Sequence, residues 1–417
     1  MNDTFSLLQK YTGISKYSKS EVITPQWVVS DMVDLLPQEV FNPNATFFDP
    51  AVKSGRFLIE IYNRLMASGL MKQAFPNEQD RHKHIIEKQL FGFATSPTAA
   101  TVVRKTLYDN PLSTGNIRFT SDKLTKERVQ GVFNNMKFDV VIGNPPYNKG
   151  MDLDFVNKGF EMSKQYTVMI TPAKWQTADA SHRVVSEIGY EEFRDSYQKH
   201  MCHVVFYPCC KDVFDIYQPD GITFFLIDKA IHESCIVENR CNNIPVFNST
   251  VDRTLENRRS LLNIGNEIIE HLGNYKQFMF PELTGKRGYE VWTNTQPSGY
   301  DWYVTVRPRY VLCPSRIIRK CEGGWCEVEA AQPVFEADTI EECESFLSWI
   351  NCKFTRFFLV PNISRLTGIL TDDCFRFVPA PPTGKFDHIY TDDELYKDFN
   401  LPQKYIDVIE AVVKERK

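Results

Sequence analysis

A chain of 417 residues, 42% hydrophobic and 24% charged, is long enough for two cores and has the composition of a globular protein rather than a disordered or fibrous one. Its formal net charge of −5 excludes a globally basic nucleic-acid coat but leaves room for a local basic groove. No apolar run reaches membrane-spanning length, and the start MNDTFSLLQKYTGISKYSKS has no signal-peptide pattern, so a cytoplasmic protein with no membrane partner is expected.

The first element is a helix in EVITPQWVVSDMVDLLP. Thr24-Pro25 opens it, and Val28, Val29, Met32, Val33 and Leu36 recur at helical spacing. In ATFFDPAVKSGRFLIEIYNRLM a strand at TFF, a turn at DPAVKSG and a helix carrying Phe57, Leu58, Ile61 and Leu65 on one face follow one another. The pattern repeats, with a strand at Leu90 to Ala94, a turn at Ser96-Pro97 and a helix to Leu107. Further strands are predicted at NIRFT, which reaches Asp122, at FDVVIG, and at TVMITPAKW after a helix near Phe155 to Ser163. Strands alternating with helices imply an α/β fold on a doubly wound, mostly parallel sheet.

FDVVIG is followed at once by Asn144-Pro145-Pro146-Tyr147. The β-branched run places Asn144 at the carboxyl end of a covered strand, which is the edge where open α/β sheets bind ligands. Two prolines remove two backbone donors and fix φ near −65°, so the loop is stiff and presents acceptors beside an exposed aromatic face. That set suits methylation of an exocyclic amino group on a planar base. Such a nitrogen is a poor nucleophile because its lone pair is conjugated into the ring. Acceptors at the Asn144 side-chain oxygen and the Pro145 carbonyl would grip its two N–H bonds and free the lone pair, while Tyr147 stacks on a base drawn out of its duplex. A proline-stiffened turn with a surface tyrosine is the alternative for the tetrapeptide taken alone.

All of the 11 cysteines lie between Cys202 and Cys374, and none forms a Cys-x-x-Cys pair. Cys202, His203, Cys209 and Cys210 do not have usual zinc spacing, so reduced structural thiols and no metal are expected. From Cys202 the texture changes to β-like runs, HVVFYPC, ITFFLID and IPVFN, with the Asn-rich ENRCNN as a linker. The division expected is a catalytic domain over 1–238 and a second, α+β domain over 239–417. In the latter, Lys286, Arg287, Arg307, Arg309, Arg316, Arg319 and Lys320 are interleaved with Tyr300, Trp302, Tyr303 and Tyr310, a mixture suited to phosphate contact and base stacking. An ordinary solvated β-domain can show the same mixture.

FDPAVKSGRFL occupies the first strand-turn-helix junction, where helix N-terminal N–H groups can hold a ligand, but it lacks the Gly-x-Gly-x-x-Gly of dinucleotide folds. With Thr24-Pro25 before it and Asn144-Pro145-Pro146-Tyr147 after it, the chain resembles the adenine-specific (N6) DNA methyltransferases of bacterial restriction-modification systems, in their gamma order of motifs. The family's usual turn is Asp-Pro-Ala-Cys-Gly-Ser-Gly; this chain keeps Asp49, Pro50, Ala51, Ser54 and Gly55, with Val52 and Lys53 between them. DVFDIYQPDGITFFLIDK and the C-terminal ISRLTGILTDDCFRFVPAP and YTDDELYKDFNLPQKYIDVIEAVVKE extend the likeness with less specificity.

The resemblance implies an S-adenosylmethionine-dependent methyltransferase fold and a C-terminal target-recognition domain. It also implies S-adenosyl-L-methionine held by Thr24, Pro25, Asp49, Pro50, Ala51, Ser54, Gly55, Thr95, Asp122 and Asn144, with Asn144 to Tyr147 catalytic. Double-stranded DNA is the expected partner. No ATP-binding loop or nuclease carboxylate cluster is visible, so a modification enzyme working alone or beside a separately encoded restriction endonuclease is expected. One departure stands out: the family's ribose-holding acid is replaced by Ala94, and losing a charge-assisted pair costs on the order of 1.5–3 kcal/mol. A protein-glutamine methyltransferase also uses Asn-Pro-Pro-Tyr but needs no long basic, aromatic domain. A DNA-binding homologue with a decayed cofactor site fits Val52, Lys53 and Ala94 but has no need of Asn144 to Tyr147.

Overall fold

The computed structural model describes residues 22–113, 115–119, 131–134, 136–147, 150–176, 188–207, 210–216, 221–241, 244–252, 267–279, 282–284, 286–292, 316–319, 333–359 and 378–413. Nine strands form one sheet: β1 (Phe47–Val52), β2 (Leu90–Ala94), β3 (Ile117–Phe119), β4 (Phe138–Gly143), β5 (Ser163–Pro172), β6 (Met201–Tyr207), β7 (Ile222–Asp228), β8 (Ser234–Cys241) and β9 (Ile244–Asp252). Their order is β3-β2-β1-β4-β5-β7-β6-β8-β9. The first five strands are mutually parallel, and β7 enters antiparallel between β5 and β6.

Helices cover both faces, as right-handed crossovers between parallel strands require. α1 (Gln26–Asp34), α2 (Arg56–Ala67), α3 (Gly69–Ala74), α4 (Glu78–His84) and α5 (Pro97–Tyr108) lie in the first half, and α6 (Met151–Met162) and α7 (Tyr190–Tyr197) follow. Neighbouring strand residues divide between two apolar layers. Phe47, Val140, Ile142, Phe224 and Leu226 pack with Val29 and Met32 of α1, Leu58 and Ile61 of α2 and Val103 of α5. Phe48, Val141, Phe225 and Ile227 pack with Leu153 and Val156 of α6 and Phe193 of α7. Such two-sided burial explains why these strands are almost continuously apolar. α1 and α2 are clamped together by Arg64, which pairs with Asp34 at 2.7 Å and with Glu60 at 2.8 Å.

Two local expectations need correction. Residues of DPAVKSG do not turn immediately: β1 continues through Asp49 to Val52, with a break in register against β2 between Asp49 and Val52. The ENRC of the expected linker is strand, because β8 pairs in parallel with β6 and antiparallel with β9, so the sheet runs on to Asp252. Arg240 of β8 pairs with Asp31 of α1 at 2.6 Å, tying this extension to the first helix.

A second sheet, ordered β11-β10-β12, consists of β10 (Tyr289–Trp292), β11 (Arg316–Arg319) and β12 (Pro333–Ala337). α8 (Ile340–Asn351) lies on it, with Phe335 and Phe346 stacked at 4.3 Å and Trp349 fully buried. α9 (Lys353–Leu359) begins under α10 (Asp392–Asp398), whose Asp392 carboxylate accepts from the Phe354 N–H at 2.9 Å. α11 (Gln403–Val412) completes this core, which also takes in Phe206 of β6 and Ala173, the residue after β5. Among the described residues no helix is long and apolar enough to cross a membrane.

Candidate active site

The strand order reverses between β1 and β4, and a doubly wound sheet opens a crevice outside the carboxyl ends of such neighbours. β1 brings Asp49 to that edge and β4 brings Asn144. The two strand ends approach closely because Gly143 has no side chain: a Cβ there would stand 2.8 Å from Asp49 Oδ1. Asp49 is 2% exposed and accepts the Ala51 N–H at 2.9 Å. Burial pushes its carboxyl up to about 7, against the pull of the Ala51 N–H and the Lys53 ammonium.

Gly55 ends the turn with φ of +80°, a conformation that glycine adopts without strain, and a Cβ there would meet Val103 Cγ2 at 2.8 Å. α2 begins on the next residue, so its first N–H groups face the crevice end of the turn. Arg56, first in α2, donates to the Thr24 carbonyl at 2.7 Å, and Lys53 donates to the Val22 carbonyl at 3.2 Å. The Thr24-Pro25 entry to α1 is thus brought against the turn after β1.

Asn144 is 2% exposed. Its Nδ2 donates to Thr24 Oγ1 at 3.0 Å, while its Oδ1 is buried with no hydrogen-bond partner among the described residues. A buried amide oxygen without a donor costs on the order of 1–3 kcal/mol, and a ligand donor brought to this strand end would relieve that cost. Pro145 is buried and Pro146 half-buried. Tyr147 departs from the exposed face expected of it. Its ring is half-buried with an edge contact to Phe214 at 6.4 Å, and its hydroxyl is enclosed without a partner among the described residues. Burial raises the phenol well above its ordinary range, with Cys210 and Asp152 adding to the effect.

Asp152, Phe214, Lys53 and Arg56 were not singled out as site residues from the sequence. Asp152 follows Gly150, whose φ of +93° opens α6, and is 4% exposed; burial, with a contribution from Asp154, pushes its carboxyl up to about 7. The signal available for Asp152 was its position five residues beyond Tyr147.

At the other end of the crevice Ala94 is buried and in register with Val52, so β2 brings no carboxylate there. Thr95 is exposed; its N–H donates to the Val52 carbonyl at 2.9 Å and its hydroxyl to the same oxygen at 3.3 Å. Thr24, Pro25, Asp49, Pro50, Ala51, Ser54, Gly55 and Asn144 therefore gather around one strand edge, and Asp122 lies outside the described residues.

Of the basic cluster, Lys286 and Arg287 are exposed beside the small sheet, and Arg287 faces Asp338 at 3.9 Å and the Glu336 carbonyl at 3.4 Å. Arg316 and Arg319 begin and end β11, an edge strand. Arg307, Arg309 and Lys320 lie outside the described residues, as do Tyr300, Trp302, Tyr303 and Tyr310.

The residues present suit a sulfonium nucleoside at the β1–β4 end of the crevice, where Gly143 keeps the two strands close and Gly55 turns the chain into α2. They suit its ribose less, because the end of β2 is aliphatic at Ala94.

Comparison with known proteins finds partial matches. Residues 4–184 match the family model described as N-6 DNA Methylase. A Mycoplasma pneumoniae protein named "Uncharacterized adenine-specific methylase" is 28% identical over a match covering 39% of this chain and 57% of its own. The crystal structure of the type I restriction enzyme EcoKI M protein aligns at 16% identity and a TM-score of 0.38, over 56% of this chain and 50% of that one. That of a type I restriction-modification methyltransferase subunit from Streptococcus thermophilus aligns at 15% identity and 0.37, over 52% and 47%. This chain thus spans little more than half the length of that relative and about half of each of these solved chains.

Proposed function

Residues 4–184 carry the sequence pattern of the N-6 DNA methylases, and on that premise we propose that the protein transfers a methyl group from S-adenosylmethionine to the N6 amino group of an adenine turned out of duplex DNA. The observation that carries this reading is Asn144: a buried amide oxygen without a partner among the described residues, at the carboxyl end of β4, held by its own nitrogen on Thr24. That oxygen and the Pro145 carbonyl accept the two amine hydrogens, so the nitrogen's lone pair is released from conjugation and directed away from the acceptors. Tyr147, braced on edge by Phe214, offers the ring face for the base. S-Adenosylmethionine, when bound, supplies the electrophilic methyl group. Thr24, Pro25, Asp49, Pro50, Ala51, Ser54, Gly55, Thr95 and Asp122 are the residues proposed to hold it. The nitrogen–methyl bond forms as the sulfur–methyl bond breaks, so that the neutral thioether S-adenosylhomocysteine would leave and one amine proton would pass to solvent.

Because β8 and β9 belong to the large sheet, the region proposed to choose the DNA sequence begins after Asp252 and not at 239, with Lys286, Arg287, Arg307, Arg309, Arg316, Arg319 and Lys320 contacting phosphates or guanine edges. A second reading, a DNA-binding homologue with weakened cofactor binding, draws on two observations: aliphatic Ala94 at the end of β2 and Lys53 buried in the turn. Incubation with methyl-labelled cofactor and genomic DNA separates the two. Label in adenine, lost in Asn144→Ala with DNA binding retained, is expected, because an acceptor acting on the transition state affects turnover rather than affinity. Label confined to protein or to cytosine, or none at all, overturns the proposal.

A further inference from the structure

The side-chain amide of Asn144 is flat, and its nitrogen and oxygen ends are nearly equal in size, so rotation by half a turn would present a donor where the chemistry needs an acceptor. What holds the amide here is Thr24 Oγ1, which accepts from Nδ2 at 3.0 Å across 120 positions of sequence and leaves Oδ1 toward the strand edge. Thr24 is 5% exposed, and its backbone is itself held. The Arg56 guanidinium donates to the Thr24 carbonyl at 2.7 Å, and the Lys53 ammonium donates to the Val22 carbonyl at 3.2 Å. Both ends of the tripeptide Val22–Thr24 are therefore gripped by cations that come from the turn after β1 and the first residue of α2. Position 53 is glycine in the usual form of this turn, and glycine has no side chain with which to reach Val22.

We propose that Lys53 and Arg56 are positioning residues that act through Thr24 on Asn144, so that the turn after β1 holds the catalytic amide in its place at the strand edge. The proposal rests on reading Asn144 as the acceptor for the reacting amine. It gives the Thr24 hydroxyl a role different from the cofactor contact that the family resemblance implied, and it gives Lys53 a role that does not depend on touching the cofactor. The turn that cradles the cofactor and the loop that grips the base become one hydrogen-bonded unit, Lys53 and Arg56 to Val22–Thr24 to Asn144.

The test uses the full chain and the variants Thr24→Val, Thr24→Ser, Lys53→Met and the double variant Thr24→Val with Lys53→Met. Three quantities are measured for each: steady-state kinetics on a methylatable duplex, calorimetric affinity for S-adenosylhomocysteine, and the side-chain amide signals of Asn144 in protein labelled with 15N-asparagine. Thr24→Val is expected to lower kcat by about tenfold to a hundredfold, the scale of a misplaced reacting group, and by clearly more than any accompanying loss of cofactor-product affinity. Thr24→Ser, which keeps the acceptor, should restore most of kcat. Lys53→Met should lower kcat several-fold alone and add little in the Thr24→Val background, because both act through one contact. The Asn144 amide signals should move in Thr24→Val and Lys53→Met and stay in place in Thr24→Ser. Unmoved amide signals in Thr24→Val, unchanged kcat, or a kcat loss matched by an equal loss of cofactor-product affinity would overturn the positioning role. If the parent chain methylates no adenine, the functional reading fails by itself, and the amide signals still decide whether Lys53 and Thr24 orient Asn144.

Discussion

Replacing Asp152 by asparagine should make the protein more stable, and the gain should grow with pH. Asp152 is 4% exposed at the start of α6, and burial raises its carboxyl from 3.8 to about 7. The direction of the effect follows from proton binding. Below pH 3.8 the carboxyl is protonated in both folded and unfolded chains and stability is unaffected; between 3.8 and about 7 only the unfolded chain ionises, so stability is lost progressively as pH rises, and above about 7 the loss is complete. At about 1.36 kcal/mol per pH unit, the displacement from 3.8 to about 7 gives a ceiling of about 4 kcal/mol. Asparagine keeps the shape and cannot ionise. The variant should therefore gain about 2–3 kcal/mol more over the parent at pH 8 than at pH 5, which is roughly 4–12 °C of additional difference in Tm for a unit of 150–250 residues. Thermal unfolding of parent and Asp152→Asn across that range is the assay. Parallel curves with the same offset at both ends would show that Asp152 is already ionised and satisfied in the folded protein, and the reasoning from burial would be wrong.

Gly143→Ala places a Cβ 2.8 Å from Asp49 Oδ1, so the ends of β1 and β4 must part; cofactor affinity measured by calorimetry should fall at least several-fold while DNA binding persists, and unchanged affinity would remove the β1–β4 crevice as the cofactor's place. Ala94→Glu should strengthen cofactor binding by about 1.5–3 kcal/mol, tenfold or more in Kd, if the end of β2 faces the ribose; a weaker or equal Kd with the fold intact would mean that position 94 does not. Charge removal at Arg307, Arg309, Arg316 and Arg319 should lower DNA affinity and flatten its salt dependence, and at least one variant should broaden the methylated motif; four variants with parental affinity, salt slope and motif would make the cluster a solvated surface.

Short-range regularities in the sequence determined much of this molecule. Val28 to Val33 and Phe57 to Leu65 carry helical spacing that the fold buries, and the apolar run from Phe138 to Ile142 reads as a strand covered on both faces, which places Asn144 at a strand's carboxyl end. Reading failed where burial is one-sided. In β8 the buried Cys235 and Val237 alternate with Ile236, which is 46% exposed; the following Glu, Asn and Arg suggested a linker, but a strand with one solvated face needs no continuous apolar run. The site divided in the same way. Asn144, Asp49 and Gly55 announced themselves as residue types at spaced positions. That Asn144 leans on Thr24, that Lys53 and Arg56 hold the segment carrying Thr24, and that Tyr147 turns its hydroxyl inward beside Asp152 and Phe214 are contacts between distant parts of the chain. Local propensity carries no record of such pairs; they come into being only when β1 and β4 lie side by side and bring their loops to one edge.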